Sequence, residues 1–306
     1  MGRNLGKAAV ASPPGTGPGA QLPVRPPGTH ALHEGETFGA YDCVCHAGTR
    51  SAVGTGAYPH VCVSVMLGGA FHARSSQGSA LAGAGTLLLG NAGSEYAFQH
   101  VDDGGDRSVV FDYAEALVDE AARSLGIPLR AQRPFGRACI PASAATSEAC
   151  VRTREALRSG GPEALEEAAL FALATVLAAE RGSDAGVAST HTPPQARRVA
   201  GVLRYIEAHS AADCSLTALG AQARLSSFHL LHLFRALTGQ TPRQVVIATR
   251  LRRAAVALRT TRARVTDIAL DVGFGDLSHF TSSFTRAFGV SPRGYRKRAP
   301  GASARR

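Results

Sequence analysis

Five side chains near the N-terminus have the types and spacing to hold a soft metal or to act as reactive thiols. The run YDCVCH places Cys43, Cys45 and His46 together, and HVCV adds His60 and Cys62. On a strand Cys43 and Cys45 share a face because side chains alternate, and so do His60 and Cys62. If the two strands pair, four nitrogen and sulfur donors can form a tetrahedral site that suits zinc. The same thiols could instead sense redox state. The third reading is plain packing, since cysteine is often a small buried hydrophobe. The spacing is not that of a C-x2-C finger, so no bound metal or other cofactor is expected.

The elements that would position these groups change character along the chain. Residues 1–32 are rich in Gly, Pro and Ala and read as a disordered tail. From about Phe38 to Tyr113, short apolar or alternating runs are separated by Gly-rich turns, which predicts an antiparallel sandwich or barrel. Helical patterns follow Ala114, at EALVDEAARSLG, at Ser143 to Ser159 and at Glu163 to Arg181. In the last of these Leu165, Ala169, Leu173, Val176 and Leu177 form one stripe, open to a dimer interface or to packing on the β-domain. Residues 33–181 thus form one domain, and 182–194 (GSDAGVASTHTPP) form a linker.

The remainder contains one helical pattern twice. Leu230, Phe234, Gly239 and Pro242 recur 50 positions later as Phe280, Phe284, Gly289 and Pro292. Upstream, Leu216, Leu219 and Ala223 recur as Val265, Ile268 and Val272 at an offset of 49, so the second copy has one extra turn residue. Fixed-offset similarity marks two copies of one supersecondary unit. Each copy reads as a short helix, a tight turn and a second helix, at about 216–237 and 265–287. Thr266 is expected to N-cap the opening helix of the second copy. Charge follows the same division. His191 to Arg306 carries 19 Lys and Arg against 5 Asp and Glu, a balance of +14, while Met1 to Thr190 carries 14 against 18. A basic end behind a mildly acidic body is the electrostatic footprint of a nucleic-acid binder.

The segment from about Arg198 to Arg298 resembles the DNA-binding domain of AraC/XylS-type transcription regulators. The residues that carry the likeness are Leu219, Ser226, Leu230, Phe234, Gly239 and Pro242, then Arg250, Leu251 and Ala254. They are joined by the run IALDVGFGDLSHFTSSFTRAFGVSPRGYRK. The resemblance implies an α+β multidomain protein: a cupin-like antiparallel β-barrel followed by helices, then an all-α domain (195–298) with two helix-turn-helix motifs and a basic tail (299–306). It implies DNA contacts on the first recognition helix, with Phe228, Leu231 and His232 as readers beside His229 and with Arg235 near the C-terminal end. On the second it implies Leu277, Ser278 and Ser282 as readers, flanked by His279 and Arg286. Leu277 and Ser282 stand where the family often has Gln and Arg, so specificity is expected to lean on the first copy. The arginines at 250, 252, 253, 259, 262 and 264 are expected to be solvated or to face phosphates. Arg224 replaces a common Gly, so the first turn is not expected to use a glycine-only conformation.

The resemblance also implies an N-terminal effector-binding and dimerisation domain. GTLLLGNAGSEYAFQH is similar to the second cupin motif, G-x5-P-x-G-x2-H-x3-N, at Gly85 and Gly93. Asn91 stands at its Pro, Tyr96 at its His and His100 at its Asn, and no H-x-H motif precedes it, so a cupin metalloenzyme is not expected. Candidate effector contacts are His60, His72, Tyr96 and His100. An alkyl-transfer repair protein would want a four-Cys cluster near its start or a Pro-Cys-His site, and neither is present. The expectation is therefore a non-enzymatic, ligand-responsive regulator, most often an activator. Its expected partners are double-stranded DNA, RNA polymerase, an unidentified small-molecule effector and a second copy of the chain. No run of 18 apolar residues or signal-peptide core occurs, so a cytoplasmic protein is expected.

Overall fold

The computed structural model describes residues 28–46, 48–51, 53–127, 133–159, 161–180 and 192–298. Its β-domain is built around one long strand, β4 (Val61–Ser75), introduced after β1 (Thr29–Glu34), β2 (Phe38–Cys45) and β3 (Gly54–Ala57). The first half of β4 lies between β6 (Leu87–Gly90) and β8 (Asp106–Tyr113), with β2 and β1 beyond β8. Its second half pairs with β5 (Gly78–Gly83) and β7 (Glu95–His100), and β3 adds to β7. All these pairings are antiparallel, so β4 carries the sheet around a bend as the barrel-like reading required. The bend coincides with a register shift between Met66 and Gly68. There Gly69 has φ +78°, and a Cβ on it would meet the Gly105 oxygen at 2.3 Å, so only glycine fits.

Alternation sorts the strand residues into two cores. Val61, Val63, Val65, Leu87, Leu89, Phe111 and Tyr113 pack against the helices α2 (Ala144–Ser159) and α3 (Pro162–Glu180), after α1 (Glu115–Ser124). Met66, Phe71, Ala73, Ala82 and Leu88 fill a smaller core with Phe98 and Cys139. The α3 stripe is consumed by the first core: Leu165, Ala169, Leu173, Val176 and Leu177 are all buried, and Tyr113 Oη donates to the Ala169 carbonyl at 2.8 Å. Of the two uses open to that stripe, packing on the chain's own β-domain is the one realised.

Two boundaries differ from expectation. β1 begins at Thr29, inside the stretch 1–32 assigned to a tail, because it pairs with β2 from Thr29↔Cys43 to Glu34↔Gly39. Propensity gave no sign of it; the edge of β2 supplies its partner. The linker 182–194 and the tail 299–306 lie outside the described residues except 192–194, where α4 (Pro193–His209) has started. Thr192 precedes it, and its N–H donates to Gln195 Oε1 at 2.9 Å, closing a capping box with Pro193 in the first turn.

The C-terminal domain continues with α5 (Leu216–Ala223), α6 (Ser227–Thr238), α7 (Pro242–Thr260), α8 (Val265–Asp271), α9 (Leu277–Phe288) and α10 (Pro292–Lys297). The repeat is explicit in the caps. Ser226 Oγ accepts from His229 N, and Asp276 accepts from the N–H groups of Ser278 and His279. Gly239 and Gly289 end α6 and α9 in the left-handed conformation, at φ +73° and +71°. The extra residue of the second copy is Gly275, between Phe274 and the cap Asp276. Arg264, not Thr266, precedes α8; Thr266 lies inside the helix and its hydroxyl donates to Asp267.

The first turn corrects an expectation. Arg224 adopts φ +53° and ψ +47°, the left-handed conformation that glycine would take, and is the one non-glycine with positive φ among the described residues. Its N–H still reaches the Ala221 carbonyl, so the turn geometry is kept at the expense of local strain. Arg224→Gly is expected to raise stability by about 0.5–1 kcal/mol, the strain relieved less the added backbone entropy of the unfolded chain. A melting temperature that falls in the variant would contradict this account of the turn.

Candidate nucleic-acid interface

The second helix of each copy has one face in the core and one in solvent. On α6, Leu230 and Phe234 are fully buried while Phe228, His229, His232 and Arg235 are exposed and Leu231 is half-buried. On α9, Phe280 and Phe284 are fully buried while Leu277, Ser278, His279, Ser282 and Arg286 are exposed. Burial of a large apolar side chain at every fourth position fixes the rotation of each helix, and so fixes which side chains face outward. Phe228 is 73% exposed and Leu277 is 43% exposed, which a solvated face does not explain but contact with base methyl groups would. The Phe228 ring stacks near His232, with centroids 4.3 Å apart. Ser282 Oγ donates to the His279 carbonyl at 3.1 Å, so in this state it is turned onto its own helix.

The copies are joined by α7, whose 19 residues span about 28 Å at 1.5 Å per residue. That is near the ~34 Å between successive major grooves on one side of a duplex. The connector is rigidly held, and its arginines explain how. Arg250 donates to the carbonyls of Ser210 and Ala212, and Arg253 to that of Glu207, at the C-terminal end of α4. Cations complement the negative end of a helix dipole. Arg252 is 4% exposed and donates to Glu207 Oε2 at 2.8 Å, and Arg259 pairs with Glu155 of α2. These four therefore hold structure rather than phosphates; Arg262 and Arg264 are exposed as expected.

Contacts between the two domains were invisible to sequence reading because their partners are distant in the chain. Glu148 of α2, only 8% exposed, accepts from Tyr295 Oη at 2.8 Å and from Arg152 at 2.8 Å. Burial and the Glu148 charge push the Tyr295 phenol above its ordinary range, so it remains a donor. Arg204 of α4 pairs with Asp102 and donates to the Gly105 carbonyl at 2.9 Å. On this docking, the C-terminal half of α6 faces β5. His232, Arg235 and Gly239 line one wall of a cleft of about 530 Å³, opposite Gln77, Ala80, Arg137 and Cys139. The outer face of α9, by contrast, lines only an open groove with Leu277, Ser278, Ser282 and Arg286.

The N-terminal candidates are not brought together as expected. Strand β8 lies between β2 and β4, so Cys43 and Cys45 are separated from Cys62 by a whole strand, and His60 is exposed ahead of β4. The four-donor zinc site therefore does not form, and His46 is exposed beyond β2. Among the described residues the one metal-ligand-type group is Cys45, His100 and Asp106. The effector candidates also divide. Tyr96 and His100 share a face with Phe98, and Tyr96 stacks on Phe98 and Tyr58. His72 is opposite Gln99 and therefore on the other face. Asn91, at the cupin proline position, is fully buried and exchanges two hydrogen bonds with the Phe135 backbone, a clamp on the loop before α2.

A family described as a helix-turn-helix domain matches residues 219–298. The Right origin-binding protein of Escherichia coli (strain K12) is 36% identical over 103 residues, which are 34% of this chain and 36% of that protein. This chain carries an AraC/XylS-family DNA-binding domain. The activator RhaS of Escherichia coli O139:H28 is 38% identical over 96 residues, 31% of this chain and 34% of RhaS. The chain thus matches about a third of the length of these curated relatives. Among solved structures, a probable AraC family transcriptional regulator from Rhodopseudomonas palustris CGA009 is 31% identical, covering 33% of this chain and 96% of that one, at a TM-score of 0.32. The DNA-binding domain of AdpA in complex with a target DNA is 30% identical, covering 32% and 89%, also at 0.32. No helix among the described residues is long and apolar enough to cross a membrane.

Proposed function

We propose that this protein is a sequence-specific transcription regulator whose AraC/XylS-family domain reads double-stranded DNA with α6 and α9. The observation that carries the proposal is the duplicated helix-turn-helix, with two reader faces exposed on helices joined by one rigid connector. It is supported by the solved domain of AdpA with its target DNA and by the activator RhaS, which share this domain. Activation is proposed by analogy with the activator RhaS, and action through RNA polymerase in the cytoplasm, without enzymatic turnover, is part of the same proposal.

The proposal extends to ligand response, which the docking of the two domains would serve. The cleft beside β5 is lined by His232 and Arg235 of α6, whereas the reader face of α9 has no part of the β-domain beside it among the lining residues. A small-molecule effector or a second copy of the chain acting on the β-domain would shift the population between covered and free α6, provided it binds the two states unequally. Tyr96 and His100 are the effector contacts that remain on one face.

The readers separate by their chemistry. His232→Ala is expected to cost about 1–3 kcal/mol on the preferred site and to relax preference at one position, because it removes a base-edge contact. Arg235→Ala is expected to weaken binding to specific and random DNA alike and to reduce the salt slope by about one unit, as loss of a phosphate contact does. Binding isotherms on both DNAs at several salt concentrations measure this. Equal losses for His232→Ala on the two DNAs would remove His232 as a reader.

A further inference from the structure

Cys45, His100 and Asp106 converge for a reason legible in the register. Cys45 of β2 and Asp106 of β8 are direct cross-strand partners, so their side chains share a face about 5 Å apart. His100 ends β7, and its ring enters between them. Cys45 Sγ is 3.4 Å from His100 Nε2, and His100 Nδ1 is 3.3 Å from Asp106 Oδ2. The Asp106 side chain is 8% exposed, and its Oδ2 has no hydrogen-bond partner, so its orientation toward the ring is unshared. Burial raises the Asp106 carboxyl above its ordinary range, opposed by the charges of His100 and Arg204. Thiol, imidazole and carboxylate in this order form the arrangement by which a base with an oriented ring takes a proton from sulfur. One donor atom from each of the three residues lies within 4.8 Å of the others, and the two ring nitrogens face different partners, the thiol on one side and the carboxylate on the other.

We propose that Cys45 is a peroxide-reactive thiol activated by His100 and Asp106, and that its oxidation is relayed to the DNA-binding domain through Arg204. Cys45 gives its proton to His100 Nε2. The thiolate sulfur attacks one oxygen of hydrogen peroxide, the S–O bond forms as the O–O bond breaks, and the departing hydroxide takes the proton from His100 and leaves as water. Sulfur is oxidised to a sulfenic acid and the peroxide is reduced. Partial burial of Cys45 and His100 admits a small reagent of this kind. Burial instead pushes the Cys139 thiol up to about 11 and also raises those of Cys150 and Cys214.

The relay is built from adjacent parts. Residues 101–105 connect His100 to Asp106 and pass directly over Cys45, whose carbonyl oxygen leaves no room for a side chain at Gly105 (2.3 Å). Asp102 and the Gly105 carbonyl hold Arg204 of α4, and Gly104 lies against the same guanidinium. An oxygen added to Sγ enters the 3.4 Å gap to His100 and displaces the end of β7, and with it the turn that grips α4. The relay rests on the regulator reading for its purpose, whereas the thiol chemistry does not.

The test uses the full chain. Hydrogen peroxide is added, sulfenic acid is trapped with dimedone, and the labelling rate of each cysteine is followed by peptide mass spectrometry. Hydrogen exchange is measured in parallel over residues 101–105 and around Arg204. Cys45 is expected to label about tenfold or more faster than Cys43 and Cys214, and His100→Gln or Asp106→Asn to remove that advantage. Exchange should rise over residues 101–105 and at α4 on oxidation, and stay unchanged in Cys45→Ser. Labelling of Cys45 no faster than Cys43 in the unaltered protein overturns the proposal even if the variants misfold. So does a His100→Gln protein that melts normally and keeps the fast rate, and unchanged exchange overturns the relay. Failure to bind DNA would sink the regulator reading and leave the labelling result intact.

Discussion

Phe284→Ala is expected to destabilise the second helix-turn-helix by about 3–5 kcal/mol, the largest single effect in the domain. Phe284 is fully buried on α9 and its ring centroid lies 5.6 Å from Phe280, 4.4 Å from Phe288 and 5.3 Å from Tyr295. Truncation leaves a cavity at the point where α9 and α10 meet, bordered by the rings of Phe280, Phe288 and Tyr295. Rigid rings cannot collapse into the space as leucines could. Because Phe284 sets the rotation of α9, its loss also misdirects Leu277, Ser278, Ser282 and Arg286. DNA protection should then shrink to the part contacted by α6. Denaturant unfolding measures the first effect and footprinting the second. A change below about 1 kcal/mol would mean that this core does not hold α9 as described.

Glu148→Ala ranks next, with an expected loss of about 1–3 kcal/mol. It strands the buried Tyr295 hydroxyl and removes one partner of Arg152, which retains Glu167. The stranded donor, more than the lost bond, supplies the cost. Tyr295→Phe in the same protein should therefore recover part of it, since the hydroxyl that lost its acceptor is removed with it. Additive losses in that double-mutant cycle would contradict the pairing. Glu148 belongs to α2 of the β-domain and Tyr295 to α10, so the change also loosens the docking that sets β5 beside α6. DNA affinity should rise in Glu148→Ala despite its lower stability. If affinity falls in step with stability, the covered state has no regulatory meaning.

How much of this could be read beforehand depended on whether the determining contact was local. The second motif was legible because capping residues, buried aromatics and terminal glycines recur at fixed offsets, and each acts within a few residues of itself. Even the extra turn residue was visible, although the structure was needed to identify it as Gly275. Arg224 was misjudged for a related reason. Sequence shows which residue relaxes a left-handed turn, but not whether surrounding packing imposes that conformation on an arginine. The arginines of α7 looked like surface charge because their acceptors are backbone carbonyls of α4, 38 to 46 positions away. In the β-domain, alternation placed Cys43 with Cys45 correctly, but pairing order is set by the whole sheet. With β8 inserted between β2 and β4, Cys45 meets His100 and Asp106 instead of Cys62. The reader faces of α6 and α9 were inferred from resemblance, and the structure places them in solvent.

The central claim is that two unequal readers on one connector select a DNA sequence. Enrichment of bound duplexes from a random pool by the purified full chain tests it most directly. The account predicts a preferred site with two short elements about one helical turn apart, the element under α6 being the more stringent. Recovery of unenriched, random sequence at salt concentrations that permit binding would contradict it.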